Sequence, residues 1–209
     1  EKQSELNKII KSEETALMSI KEALVSDSTS VYWIIKSIEK EQENTDLFLK
    51  HISKDTVLTE KELNNRMWDL AYFQYLVQDK SVYESQIKNA GKKIIQVDSV
   101  SAAISNVYDY LYKHLDNVFM MQKDMLSTKT IEAFTDAGGY MDSKRFSITK
   151  SLKLDQSTMF SNSLQNLKFI SQLTFHYDTN FFIKRQYEQG LIIIRSAIKS
   201  IEYYLDNKK

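Results

Sequence analysis

Apolar residues recur along this chain at helical spacing. From Lys2 to Val25, the residues Leu6, Ile10, Leu17, Ile20 and Leu24 stand three, four or seven apart and share one face, while Lys8, Lys11, Glu14 and Lys21 fall elsewhere on the cylinder. The polar run Ser26-Asp27-Ser28-Thr29-Ser30 interrupts the pattern with residues suited to helix N-caps. A second stripe follows, Val31, Ile34, Ile35, Ile38, Phe48 and Ile52, with a charged middle at Glu39-Lys40-Glu41. The two stretches read as an N-terminal helical hairpin over 1–53, since a link of about four residues leaves antiparallel packing as the way to bury both faces.

Central helices are expected over 54–137. Lys54 to Leu58 is a short connection, and Thr59-Glu60-Lys61-Glu62 fits a capping box opening a helix with Leu63, Met67, Leu70, Tyr72, Phe73 and Leu76. A second box, Ser81-Val82-Tyr83-Glu84, starts a shorter helix that stops near Gly91, with Lys92 and Lys93 at the negative pole of its dipole. Asp98-Ser99 then caps a helix whose Ile104, Tyr108, Leu111, Leu115, Val118 and Met125 keep heptad spacing. It reaches Phe134, a span of about 50 Å. The pair Gly138-Gly139 is the strongest break, and 138–156 reads as a flexible or irregular connection. A long C-terminal helix occupies 157–209, striped by Leu164, Leu167, Leu173, Tyr177, Phe181, Leu191, Ile194, Ile198, Ile201 and Leu205. Within it Gly190 marks a kink or a close crossing, and Asp178-Thr179-Asn180 offers an alternative break.

Composition narrows the fold class. With no proline and 4 glycines in 209 residues, a sandwich, barrel or doubly wound sheet would lack its turn residues. The expectation is therefore all-α: one elongated antiparallel helical bundle over 1–209, with one or two long helices. Lys and Arg (28) balance Asp and Glu (28), so the charge footprint of a nucleic-acid binder is missing. The absence of cysteine excludes disulfides, thiolate metal sites and a cysteine nucleophile. No apolar run is long enough to span a bilayer. The chain opens on Glu1 rather than Met, and we expect a signal, pro-segment or anchor removed upstream.

Catalytic motifs are scarce. The phosphate-binding glycine loops, the HExxH zinc motif and the GxSxG elbow do not occur, and no Glu-x-x-His is present for a di-iron bundle. Of the three histidines, His114 and His176 each precede an aspartate by two positions (Asp116 and Asp178). Positions i and i+2 diverge on a helix, so only cross-helix pairing of His114 with His176 makes a weak metal candidate. Aromatic clusters at Tyr32-Trp33, Trp68 to Tyr75, Tyr108-Tyr110-Tyr112, Phe181-Phe182 and Tyr203-Tyr204 fit either a wide core or a cleft. Tyr72, Tyr75, Tyr108 and Tyr112 are the candidate ligand-binding residues. Met120, Met121 and Met125 read first as gap-fillers, and Lys144-Arg145 with Lys150 and Lys153 as a solvated basic patch.

The string Tyr83-Glu84-Ser85-x4-Ala90-Gly91-Lys92, followed by Ile94-Ile95, Asp98 and Ala103-Ile104 to Tyr108-Tyr110, resembles a motif of a domain-of-unknown-function family of short single-pass bacterial membrane proteins. Ala90 stands where that family favours serine, and Lys93-Ile94 are shifted around its usual leucine. The resemblance implies an extracytoplasmic (periplasmic) helical domain tethered by a transmembrane segment upstream of Glu1. It imports no activity and no functional residue. The expected function is accordingly non-enzymatic: a membrane-tethered helical domain acting through an unknown protein partner or self-association. No cofactor and no nucleic acid are expected, and the membrane is met only through the anchor. A ligand-binding sensor bundle is the alternative, and a metal-dependent enzyme the third reading.

Overall fold

The computed structural model describes residues 2–71, 74–88, 95–137 and 164–207. These form an all-α bundle with no strand among the described residues. Helix α1 spans Lys2–Ile52 and α2 spans Glu60–Ala71; a short turn of wider, π-type winding covers Tyr83–Lys88. Residues 98–136 are continuously helical. This stretch comprises α3 (Asp98–Ser105), α4 (Tyr112–Met121) and α5 (Lys129–Asp136), joined by π-wound segments Asn106–Leu111 and Gln122–Thr128. Helix α6 runs from Leu167 to Asn207.

The expected hairpin over 1–53 is corrected: α1 is one uninterrupted helix of 51 residues. Its buried seam runs Glu13, Leu17, Ile20, Leu24, Asp27, Val31, Ile34, Ile38, Glu41, Thr45 and Phe48, in alternating steps of four and three, with Ala16, Ile35 and Asn44 buried beside it. That 3.5-residue period is the seam of coiled-coil packing, and it runs straight through the polar run. Thr29 donates its hydroxyl to the Val25 carbonyl at 3.1 Å and Ser30 to the Ser26 carbonyl at 3.2 Å. The hydroxyls thus fold back onto the preceding turn instead of capping a new one, and tertiary burial of the seam overrides local preference. Helix α1 ends where Lys54 takes a left-handed conformation (φ 68). There Asp55 N–H reaches the Lys50 carbonyl and Lys54 N–H the His51 carbonyl, a Schellman closure.

Helix α6 carries the same period. Phe169, Leu173, His176, Asn180, Ile183, Tyr187, Gly190, Ile194, Ala197 and Ile201 are its buried seam, with Leu191 buried beside Gly190. Leu167 and Phe181, expected on the stripe, are 81% and 49% exposed, because the polar residues His176 and Asn180 hold the seam's phase. The triplet 178–180 does not break the helix. Gly190 marks a close crossing: a Cβ there would lie 3.3 Å from a methyl of Leu115. Between α4 and α5 the inward positions Val118, Gln122, Leu126 and Thr130 step by four, which the wider i→i+5 winding keeps on one face. Leu126 therefore points inward where Met125 was expected.

The capping box at Thr59 forms as expected, with Thr59 N–H donating to the Glu62 carboxylate at 2.8 Å and Glu62 N–H to the Thr59 hydroxyl at 3.3 Å. The box expected at Ser81 does not: Asp79 accepts from both the backbone and the hydroxyl of Ser81. Helix α3 starts at Asp98 itself, flanked by extended Val97, so Asp98 is a first-turn acid and not a cap. Asn166 caps α6 through the amides of Lys168 and Phe169. The expected stop at Gly91 and the connection 138–156 lie outside the described residues, as does the 157–163 start of the C-terminal helix.

Two compact units arise from interleaved segments. Unit 1 takes Glu1–Ile35, Tyr75–Asn117 and Gln186–Lys209; unit 2 takes Lys36–Gln74 and Val118–Arg185. Within unit 1, α1 meets α6 antiparallel through Lys21–Glu202 and Tyr204–Glu13. Within unit 2 it does so through Lys184–Glu39 and His176–Glu41. The core of unit 2 gathers Phe48, Leu63, Met67, Leu70, Phe134, Phe169 and Leu173.

Candidate functional site

The buried carboxylates among the described residues are Glu13, Asp27 and Glu41, spaced by two heptads. An unpaired carboxylate in an apolar interior costs several kcal/mol, so each needs donors from a facing helix.

In unit 1, Glu13 accepts the Gln96 backbone N–H at 2.7 Å and the Tyr204 hydroxyl at 3.1 Å. Asp27 accepts the hydroxyl of fully buried Tyr112. Burial raises the Asp27 carboxyl above its ordinary value; the Tyr112 bond opposes this and the Asp79 charge adds to it. Burial, then the Asp27 charge, pushes the Tyr112 phenol well above its usual range. Tyr108 stacks on Tyr83 at 4.5 Å and meets Tyr112 edge-on at 5.2 Å. Burial raises both of these phenols too, that of Tyr108 steeply. The Tyr83 hydroxyl donates to Asp109 at 2.5 Å. The Lys80 ammonium stands 5.8 Å from the Tyr112 ring centre. Of the expected ligand-binding tyrosines, Tyr108 and Tyr112 are therefore packed core rings, while Tyr75 is half-exposed and donates to Asp116 at 3.5 Å. Tyr72 lies outside the described residues.

In unit 2, Glu41, His176 and Thr130 form a line of carboxylate, imidazole and hydroxyl. A carboxylate only accepts, so Nε2 of His176 donates to Glu41, and in the neutral ring Nδ1 accepts from the Thr130 hydroxyl at 2.9 Å. Gln122 donates to the second oxygen of Glu41 at 3.3 Å, and Gln172 spans the Thr130 hydroxyl and the Met125 carbonyl. The order of groups is that of a nucleophilic triad. Its members are 4%, 0% and 0% exposed, so no substrate carbonyl can reach the hydroxyl. What the line does is fasten α1, α5 and α6 together inside this unit. A shallow groove of about 350 Å³ lies on the same unit, lined by Lys129, Glu132, Ala133, Lys168, Ser171 and Gln172.

The two candidate metal-ligating histidines fall in different units. His114 belongs to unit 1, where its Nε2 bonds Gln186 at 2.8 Å, and His176 to unit 2. Among the described residues no group of three or more His, Cys, Asp or Glu side chains is placed to hold a metal ion, and no helix is long and apolar enough to cross a membrane. Sequence reasoning missed Glu13, Asp27, Glu41, Gln122 and Thr130. The signal that finds the carboxylates is their fourteen-residue spacing in phase with Leu17, Leu24, Val31 and Ile38. Comparison with known proteins finds no matching family model, no matching curated protein and no matching solved structure.

Two outcomes follow. The folded-state pKa of Asp27 is raised, so the folded chain holds this proton more tightly than the unfolded chain. Its stability therefore falls as pH rises from below 3.8 through the raised value, then levels. In urea titrations across that window the wild type loses stability relative to Asp27→Asn, whose amide oxygen still accepts from Tyr112; parallel pH profiles would contradict this. His176→Ala leaves Glu41 buried without its strongest donor and costs about 3–5 kcal/mol, while the double variant Glu41→Leu/His176→Leu recovers most of that loss. Equal losses in both variants, measured by chemical denaturation, would refute the pairing.

Proposed function

We propose that this chain is a non-enzymatic helical domain that works by protein contacts, held on the extracytoplasmic side of a bacterial membrane by an N-terminal anchor. One observation carries the contact reading. Between Glu22 and Lys36 the only charged residue is Asp27, and it is buried. The outer face of α1 there presents Val25, Ser26, Thr29, Tyr32 and Trp33, with Val25 47% and Trp33 58% exposed. The Tyr32 and Trp33 rings meet edge-on at 5.4 Å. A charge-depleted patch anchored by Trp and Tyr has the composition of a contact hot spot. The sealed state of the Glu41–His176–Thr130 line supports the non-enzymatic part, since its hydroxyl has no route to a substrate. The tether rests on the family resemblance around Tyr83-Glu84-Ser85.

The ligand-binding alternative has its own supporting observation. In unit 1 the buried hydroxyls of Tyr108 and Tyr187 have no hydrogen-bond partner among the described residues.

A photoreactive amino acid at position 33 tests the contact reading in the cell that makes the full gene product. Adducts from position 33, with none from the same residue at exposed Ser196, are expected. Equal labelling at both positions, or none at either, would contradict it. Membrane fractionation of the same product reports on the tether, which a wholly soluble product would remove.

A further inference from the structure

In unit 1 a buried hydroxyl departs from the rule that buried polar groups are paired. Tyr108 is 3% exposed, and its hydroxyl has no hydrogen-bond partner among the described residues. It belongs to the π-wound segment Asn106–Leu111, and such windings recur at functional sites. The charges of Asp27 and Asp79 both act on this hydroxyl.

The two acids come from separate parts of the same unit, Asp27 from α1 and Asp79 from the non-helical stretch 75–80. Each is fastened through one oxygen. Asp27 Oδ2 accepts the Tyr112 hydroxyl, and Asp79 Oδ1 accepts the Ser81 amide at 3.0 Å and its hydroxyl at 2.6 Å. The second oxygen of each carboxylate has no hydrogen bond among the described residues. Gln78 ties the stretch to the helix beside it, through Asp116 at 2.9 Å and the Tyr112 carbonyl at 3.4 Å. The Lys80 ammonium stands 5.8 Å from the centre of the Tyr112 ring and makes no ion pair with either carboxylate among the described residues. Two carboxylates against that ammonium leave a negative balance around the buried hydroxyl.

We infer that Asp27, Asp79 and Tyr108 hold a small monovalent cation of the potassium, sodium or ammonium class. This rests on the ligand-binding reading above and names the ligand's chemistry; it is independent of the contact reading. A monocation gives the two remaining carboxylate oxygens and the phenol oxygen a common partner, and it offsets the like charge that Asp79 brings to bear on Asp27. Divalent ions are held in fuller cages of acidic oxygens, and among the described residues no group of three or more acidic or histidine side chains is so placed. Asp79 is exposed and supplies the solvent side of the site, while Asp27 and Tyr108 supply the buried side.

Thermal melts at fixed ionic strength test this, with choline chloride, too large for the site, replaced stepwise by potassium, sodium or ammonium chloride. At least one of the three ions is expected to raise the wild-type Tm saturably, by about 5–10 °C at about one hundred times its Kd. Tyr108→Phe, which keeps the ring, and Asp79→Asn, whose amide oxygen still accepts from Ser81, are each expected to weaken the affinity about tenfold. Asp124→Asn, an exposed charge in unit 2, is expected to leave it unchanged. The same rise in choline, or an affinity that Tyr108→Phe does not alter, would overturn the inference. If none of the three ions binds, but protein isolated from its own cell releases a small molecule on denaturation, the cation is excluded and the ligand-binding reading stands. If nothing is released, both fall.

Discussion

A carboxylate turned into an apolar interior must find a donor on another helix, and α1 makes that demand three times. Glu13, Asp27 and Glu41 sit on its buried seam at intervals of two heptads. Each is met by a different group: a tyrosine and a backbone amide, a tyrosine, and a histidine with a glutamine. The aliphatic residues between them tolerate sliding, because one leucine layer resembles the next. The carboxylates do not. A slip of α6 by one heptad along α1, about 10.5 Å, would carry His176 away from Glu41 and leave the charge without its donor. The apolar seam supplies the attraction, and the polar positions select the register.

The same constraint explains what reading the chain could and could not reveal. The all-α class followed from the scarcity of glycine and proline. The capping box at Thr59 and the long helix beginning near Asp98 were visible in residue order. The hairpin expected over 1–53 was wrong because Ser26 to Ser30 looks like a break when Asp27 is taken for a cap. Asp27 turns inward instead, to a tyrosine 85 residues away, and such a partner leaves no local trace. His176 and Asn180 hid the phase of α6 in the same way, since a stripe sought among apolar residues passes over its polar members. The candidate tyrosines were noticed for their clustering. Two of them cluster because they fill the core beside Asp27.

Polarity is distributed differently on the two sides of α1. Inside each unit the buried carboxylates among the described residues bind α1 to its neighbours, and the Glu41–His176–Thr130 line is closed to solvent. Outside, α1 does the opposite: a face beside the buried seam has lost its charges and kept its rings.

The most direct test of the unbroken α1 seam is amide hydrogen exchange of residues 24–34. A continuous helix locked by Asp27 predicts that the amides of Ser26 to Ser30 exchange as slowly as those of Leu24 and Ile34, opening only with the global unfolding of their unit. Fast exchange confined to Ser26–Ser30, with slow exchange on either side, would mean two helices joined by a turn and would contradict the account.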